Sequence, residues 1–207
     1  MPLAPGYGET PLDFEELDVL LPAARKLIGD PVTKAAVYDY EEGIAEQVGA
    51  DALEAVLDGS VVLEEIVSDY YLRDLHRQLY GELWSWAGVL RHREVNIGIA
   101  PERITTELRA SLDTILYRWR HTEDWTAHHF GIAVHAETVR IHPFVDGNGR
   151  VTRLLADPAF AAAQDPLGAE LYDWDVDKRR YITLLGRYDQ SRDPAELAEL
   201  VATRSTK

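Results

Sequence analysis

The run Ile141-His142-Pro143-Phe144-Val145-Asp146-Gly147-Asn148-Gly149-Arg150-Val151-Thr152-Arg153 is a short loop that passes directly into a helix. Gly147, Asn148 and Gly149 read as the turn at the helix start, because Val151, Leu154 and Leu155 follow at helical spacing. The free backbone N–H groups of such an end carry the positive pole of the helix dipole, and two glycines leave no Cβ in the way, which makes an anion site. Arg150 and Arg153 stand three residues apart, so they leave one face of the first turn and reach the same anion. An acidic Asp146 beside an anion site makes chemical sense when a cation lies between them. A hard ion such as Mg²⁺, held by one carboxylate and by phosphate oxygens, meets that need. His142 adds a group that takes up a proton near neutral pH.

A base, a metal carboxylate, a phosphate nest and an arginine pair together describe phosphoryl or nucleotidyl transfer from a nucleoside triphosphate. The loop is not a Walker loop, since no Lys-Ser or Lys-Thr follows the glycines. His142 to Arg153 instead resembles the signature of the Fic family, which reads HPF, two residues with Asp or Glu second, GNGR, two residues, and Arg. The resemblance covers about residues 60–190. It implies an all-α bundle with a small β-hairpin flap over the active-site loop, and transfer of AMP from ATP to a Ser, Thr or Tyr hydroxyl of a target protein with release of pyrophosphate. It also implies residue roles. His142 would be the base, Asp146 would hold Mg²⁺ between the α- and β-phosphates, and the N–H groups of Gly147, Asn148 and Gly149 would cradle those phosphates. Arg150 and Arg153 would take the phosphates farther out, Phe144 would anchor the loop in the core, and Pro143 is a structural member of the motif. The death-on-curing branch of the fold, which transfers phosphate, has Ala and Lys where this chain has Gly147 and Gly149, so both glycines favour nucleotidyl transfer. Other members use other nucleotide-linked donors. Two readings of another class stand beside the enzyme: a nucleotide-binding regulator without turnover, against which the intact His142 argues, and a plain helical interaction module.

Composition sets the frame. A chain of 207 residues with 46% apolar content can bury a real core in one domain plus an accessory arm. The opening Met1-Pro2-Leu3-Ala4-Pro5-Gly6 has no basic region followed by an apolar run, and no stretch approaches a membrane span, so a cytosolic protein is expected. No cysteine is present, which leaves only oxygen or imidazole to ligate a metal. With 21 basic and 36 acidic residues the net charge is −15, which disfavours nucleic acid and anionic membrane as partners. An anionic nucleotide then needs the local positive cup that Arg150, Arg153 and the helix start supply.

Along the chain, residues 1–59 read as an N-terminal arm and helices with a possible regulatory role, 60–190 as the Fic domain and 191–207 as a C-terminal helix and tail. Residues 1–12 form an extended arm, and their Thr10-Pro11-Leu12 is similar to a subgroup of small stand-alone bacterial Fic proteins, the mobile mystery protein B subgroup. Helices are expected over 13–21, ended by Pro22, over 32–57 as two pieces broken near Gly49, over 61–80, 102–119 and 125–140, over 175–188 and over 194–202. Pro158 to Gly168 is expected to bend or end the motif helix. Trp84 and Trp86 read as core packing. From Arg91 to Pro101, His92, Glu94, Asn96 and Gly98 alternate with Arg93, Val95, Ile97 and Ile99, and period two predicts a strand in a surface hairpin. The family resemblance makes Arg93, Glu94, Val95, Asn96, Ile97 and Gly98 a flap on which an extended segment of a target protein docks by strand addition. His128, His135 and His142 recur every seven residues, about 10 Å apart along a helix, too far to share one ion. His128 and His135 therefore read as packed or surface histidines.

One further resemblance concerns control. Many Fic proteins carry or recruit a helix whose glutamate occupies the outer phosphate site and pairs with the second arginine of the signature. Its pattern is Ser or Thr, three residues, Glu, then Gly or Asn. The nearest match is Tyr38-Asp39-Tyr40-Glu41-Glu42-Gly43, which fits at Glu42-Gly43 and departs at Tyr38. Glu42 is thus the expected inhibitory residue, paired with Arg153, and Glu41 its rival. The alternatives are that Glu41 and Glu42 are solvated charges on an acidic helix and that a separate antitoxin-like protein is the inhibitor.

Overall fold

The computed structural model describes residues 14–165 and 168–205. The expected arm over 1–12, with its Thr10-Pro11-Leu12, lies outside the described residues. The element order is α1 (Phe14–Val19), α2 (Pro22–Ile28), α3 (Lys34–Leu57), α4 (Leu63–Ile66), α5 (Asp69–Tyr80), a 3-10 turn (Pro101–Arg103), α6 (Ile104–His121), α7 (Ala127–Ile141), α8 (Asn148–Ala162), β1 (Glu170–Tyr172), α9 (Lys178–Ser191), α10 (Ala195–Leu200) and β2 (Thr203–Ser205). No described helix is long and apolar enough to cross a membrane.

The pair α7 and α8 lies at the centre, because both helices are buried over most of their length. In α7 the run Phe130 to Thr138 is buried throughout. One side of the pair packs against a cluster that includes Val37, Leu72, Leu79, Ile104 and Leu108. The other side packs against Tyr172, Leu184, Tyr188 and Leu197. Burial of each large side chain of this kind contributes roughly 1.5–3 kcal/mol, so the loop joining α7 to α8 is carried by the best-buried part of the molecule.

Several boundaries differ from those expected, each for a local reason. Pro22 does not stop a helix; it starts α2 at the first position, where its missing N–H costs nothing. Residues 34–57 are one helix and not two, and Gly49 lies inside it because the side of α3 facing α8 is needed whole: a Cβ at Gly49 would stand 3.2 Å from Leu154. The stretch 61–80 is divided instead. Ser68 takes an extended conformation and its hydroxyl accepts from Tyr71 N, capping α5. Pro158 sits within α8 without ending it.

The all-α class with one small antiparallel sheet is found, but the sheet is β1 with β2, pairing Leu171 with Arg204, at the C-terminal end of the chain. Residues 91–100 form no strand. Their alternation does not sort into inner and outer faces, since Ile97 is 60% exposed and Val95 half-buried. Main-chain carbonyls that a ladder partner would take are captured by the Arg91 side chain, at Arg93 and at Ile99. The stretch is an irregular cover lying on the loop between α7 and α8, reached through Arg91 N to Pro143 O and Ile99 N to Ile141 O.

Candidate active site

The site is assembled where α7 ends. His142 caps that helix in the left-handed region, at φ 53 and ψ 63, a conformation that costs a non-glycine residue on the order of 1–3 kcal/mol and is sustained only where surroundings impose it. Phe144, fully buried, is the anchor the sequence suggests, and its ring stacks on His76 with centroids 3.7 Å apart. Asn148 is buried, and its side chain spans the loop: Oδ1 accepts from Phe144 N and Nδ2 donates to Phe144 O, both at 2.9 Å. His76 closes the other side. Its Nδ1 accepts from Gly88 N at 2.8 Å, which leaves Nε2–H to donate to Asp146 O at 3.2 Å. Burial pushes the His76 pKa down to about 4, so the imidazole that holds the loop is neutral.

Gly147 caps α8 at φ +73, and a Cβ there would stand 2.4 Å from the Tyr80 ring, so only glycine lets the loop pass beneath that tyrosine. Gly147 N donates to Asp146 Oδ1 at 2.7 Å. The three N–H groups grouped by sequence are therefore not equivalent: that of Gly147 orients Asp146, while those of Asn148 and Gly149 open the first turn of α8.

The imidazole of His142 is half-buried. Burial, reinforced by the nearby Arg91 charge, lowers its pKa; Asp146 and the Val139 carbonyl pull the other way. The neutral form, the one that accepts a proton, is thus present at pH 7. His142, Asp146, Gly147, Asn148, Gly149, Arg150 and Arg153 all line one cavity of about 430 Å³. Its opposite wall is Val37, Tyr38 and Glu41 of α3, together with Tyr80, Trp84 and Trp86. The two tryptophans are packed as expected and also face this space, stacked with centroids 5.6 Å apart.

The acidic helix meets the site, but with the other glutamate and the other arginine. Glu41, 7% exposed, pairs with Arg150 at 2.8 Å through Oε2, and its Oε1 accepts from Trp84 Nε1 at 2.8 Å. Glu42 is exposed. Helical phase is the reason: Val37, Glu41, Val48 and Ala52 form the buried stripe of α3, and Glu42 lies about 100° farther round. Arg153 lies instead against the Tyr181 hydroxyl, which is 2.7 Å from His135 Nε2 in the interior. Among the residues sequence reasoning missed, His76, Tyr80, Arg91 and Tyr181 carry no local motif. Trp84 and Trp86 did carry a signal, their aromatic density, which points to packing and to a cavity wall alike.

Residues 66–158 match the Fic/DOC family. The chain has the fold of a Fic domain. It is 29% identical over 125 residues to a protein adenylyltransferase Fic of Drosophila ananassae and 30% identical over 125 residues to that of Drosophila melanogaster, in each case across 58% of this chain. The chain spans about a quarter of the length of these relatives. Among solved structures, the Bartonella tribocorum effector BepC with bound AMPPNP superposes with a TM-score of 0.60 at 16% identity, over 84% of this chain and 90% of that one. A Bartonella quintana effector Fic domain with bound ADP gives 0.58 at 17% identity, over 82% and 86%. These likenesses establish the fold, and the Fic signature of this chain, His142 to Arg153, falls inside the matched segment.

Proposed function

We propose that this chain is a protein adenylyltransferase that moves AMP from ATP to a Ser, Thr or Tyr hydroxyl of a target protein. The observation that carries the reading is the shared cavity: a neutral, strained histidine and the first turn of α8, with its two arginines, face the same space. The hydroxyl oxygen attacks the α-phosphorus in line, forming the new O–P bond as the bond to pyrophosphate breaks, and the hydroxyl proton passes to His142. The N–H groups of Asn148 and Gly149 bind phosphate oxygens, and Arg150 and Arg153 bind the phosphates farther out. The adenylyltransferase name of the Drosophila relatives and the nucleotides bound in two of the structural neighbours support ATP as donor.

Asp146, an exposed carboxylate at the phosphate turn, fits a Mg²⁺ ligand of the kind that contributes one carboxylate and leaves the other positions to phosphate and water. Held there, the ion would neutralise phosphate charge. Asp146→Asn is expected to raise several-fold the Mg²⁺ concentration needed for half-maximal transfer, because an amide oxygen binds a hard cation less well. A metal titration that matches wild type would return Asp146 to the role of a turn residue.

The target is proposed to dock on residues 93–98, where Ile97 is exposed and no internal strand occupies the main chain. Control is proposed to come from α3, with Glu41 holding Arg150 away from phosphate. A cytoplasmic setting fits a donor such as ATP. Incubation with α-labelled ATP, Mg²⁺ and lysate tests the reaction: a labelled protein band is expected. Label from γ-labelled ATP alone would make the enzyme a phosphotransferase.

A further inference from the structure

Arg91 is 2% exposed, one of the largest fully buried side chains, yet its guanidinium hydrogen bonds go to main-chain carbonyls and not to a carboxylate. An arginine buried in this way is costly to desolvate, so its place is informative. Nε donates to His142 O at 2.8 Å, one terminal nitrogen to Arg93 O at 3.0 Å, and the other to Ile99 O. The main chain adds Arg91 N to Pro143 O at 2.9 Å and Ile99 N to Ile141 O at 3.3 Å. Three consecutive carbonyls, those of Ile141, His142 and Pro143, are thus all held by Arg91 or Ile99. Gly98, at φ +99, closes the gap: a Cβ there would lie 2.5 Å from His142 Cβ and 2.9 Å from the Arg91 guanidinium.

We propose that Arg91 is the positioning residue of this site, gripping both ends of the 93–99 cover and the backbone of His142 so that the left-handed histidine and the segment above it form one unit. The inference rests on the adenylyl-transfer reading for its consequence: the surface that receives the target and the group that takes its proton keep a fixed separation. A planar fork with donors in several directions can reach three carbonyls, whereas the single ammonium of lysine cannot. Nucleotide binding is outside its reach, because Arg91 bonds to neither α8 nor its arginines.

The test uses the full chain with Arg91→Lys, Arg91→Met and, as a wedge that leaves the arginine in place, Gly98→Ala. Hydrogen exchange is followed over 91–100, 141–146 and 148–162, and the Kd of a non-hydrolysable ATP analogue and the kcat for target labelling are measured in a Glu41→Ala background. Exchange at 91–100 and 141–146 is expected to speed up together, with 148–162 unchanged and the Kd within about twofold of the parent, while kcat falls about fivefold from misplacement of the base. Wild-type exchange in both segments, or loosening of one alone, would overturn the coupling whatever the activity. Coupled loosening with unchanged kcat would overturn the positioning role, as would a loss of kcat that merely follows a raised Kd. Absence of transfer in the Glu41→Ala parent itself would fail the functional reading, and the exchange result would still decide whether Arg91 joins the two segments.

Discussion

His142→Ala is expected to abolish target labelling while leaving ATP binding near the wild-type level. In the proposed mechanism the imidazole acts on the incoming hydroxyl and not on the phosphate turn, so its loss would fall on the chemical step. Removing a general base costs ~10²–10⁴ in rate. The structure adds a second reason for a large effect. The left-handed backbone at this position, φ 53, is held from outside by Arg91 and Ile99, and burial together with the Arg91 charge lowers the imidazole pKa. Alanine removes the proton acceptor without relaxing that frame. Nucleotide affinity, measured with an ATP analogue, is therefore the internal control. Labelling by His142→Ala at the wild-type rate would remove His142 from the base role, and weakened ATP binding with full turnover at saturation would make it a binding residue.

How far the site could be read from sequence depends on whether its parts are neighbours in the chain. His142, Phe144, Asp146, Gly147 and Asn148 lie within one loop, and a single motif puts them together in space. The structure changes only how Gly147 and Asn148 spend their hydrogen bonds, which the order of residues cannot reveal. The helices were legible from apolar periodicity, and their ends were less so, because Ser68 and Pro22 act through local capping geometry that periodicity does not register. The 91–100 stretch misleads for a physical reason. Period two marks a backbone able to pair, and a buried arginine 51 residues from His142 in sequence took the place of the partner strand. Tyr181 and His76 were invisible because each reaches the site from a helix remote in sequence, 46 residues from His135 in one case and 70 from Asp146 in the other.

Glu41→Ala is expected to raise labelling at least about tenfold, equivalent to ~1.4 kcal/mol, and Glu42→Ala to leave it near wild type. The sequence pattern favours Glu42, since the Glu-Gly pair ends there, but the pattern describes letters and the contact depends on helical phase. Glu41 is on the stripe that faces α8, both of its oxygens are engaged, by Arg150 and by Trp84, and it stands in the cavity that the phosphates would fill. A half-buried, charge-assisted pair of this kind is worth more than an exposed one. On the proposed reading it neutralises, while it lasts, a charge needed by an outer phosphate, and it narrows the space beside the α8 turn. Its removal frees Arg150 and leaves Trp84 Nε1 without its acceptor, at the margin of the cavity, where water can replace it. Alanine is chosen over glycine so that α3 keeps its helix propensity, and circular dichroism of the variant checks that it does. Glu42→Ala raising labelling more than Glu41→Ala would restore the sequence pattern as the guide. If neither variant gains activity while both stay folded, control does not reside in α3, and a separate antitoxin-like protein becomes the inhibitor to isolate.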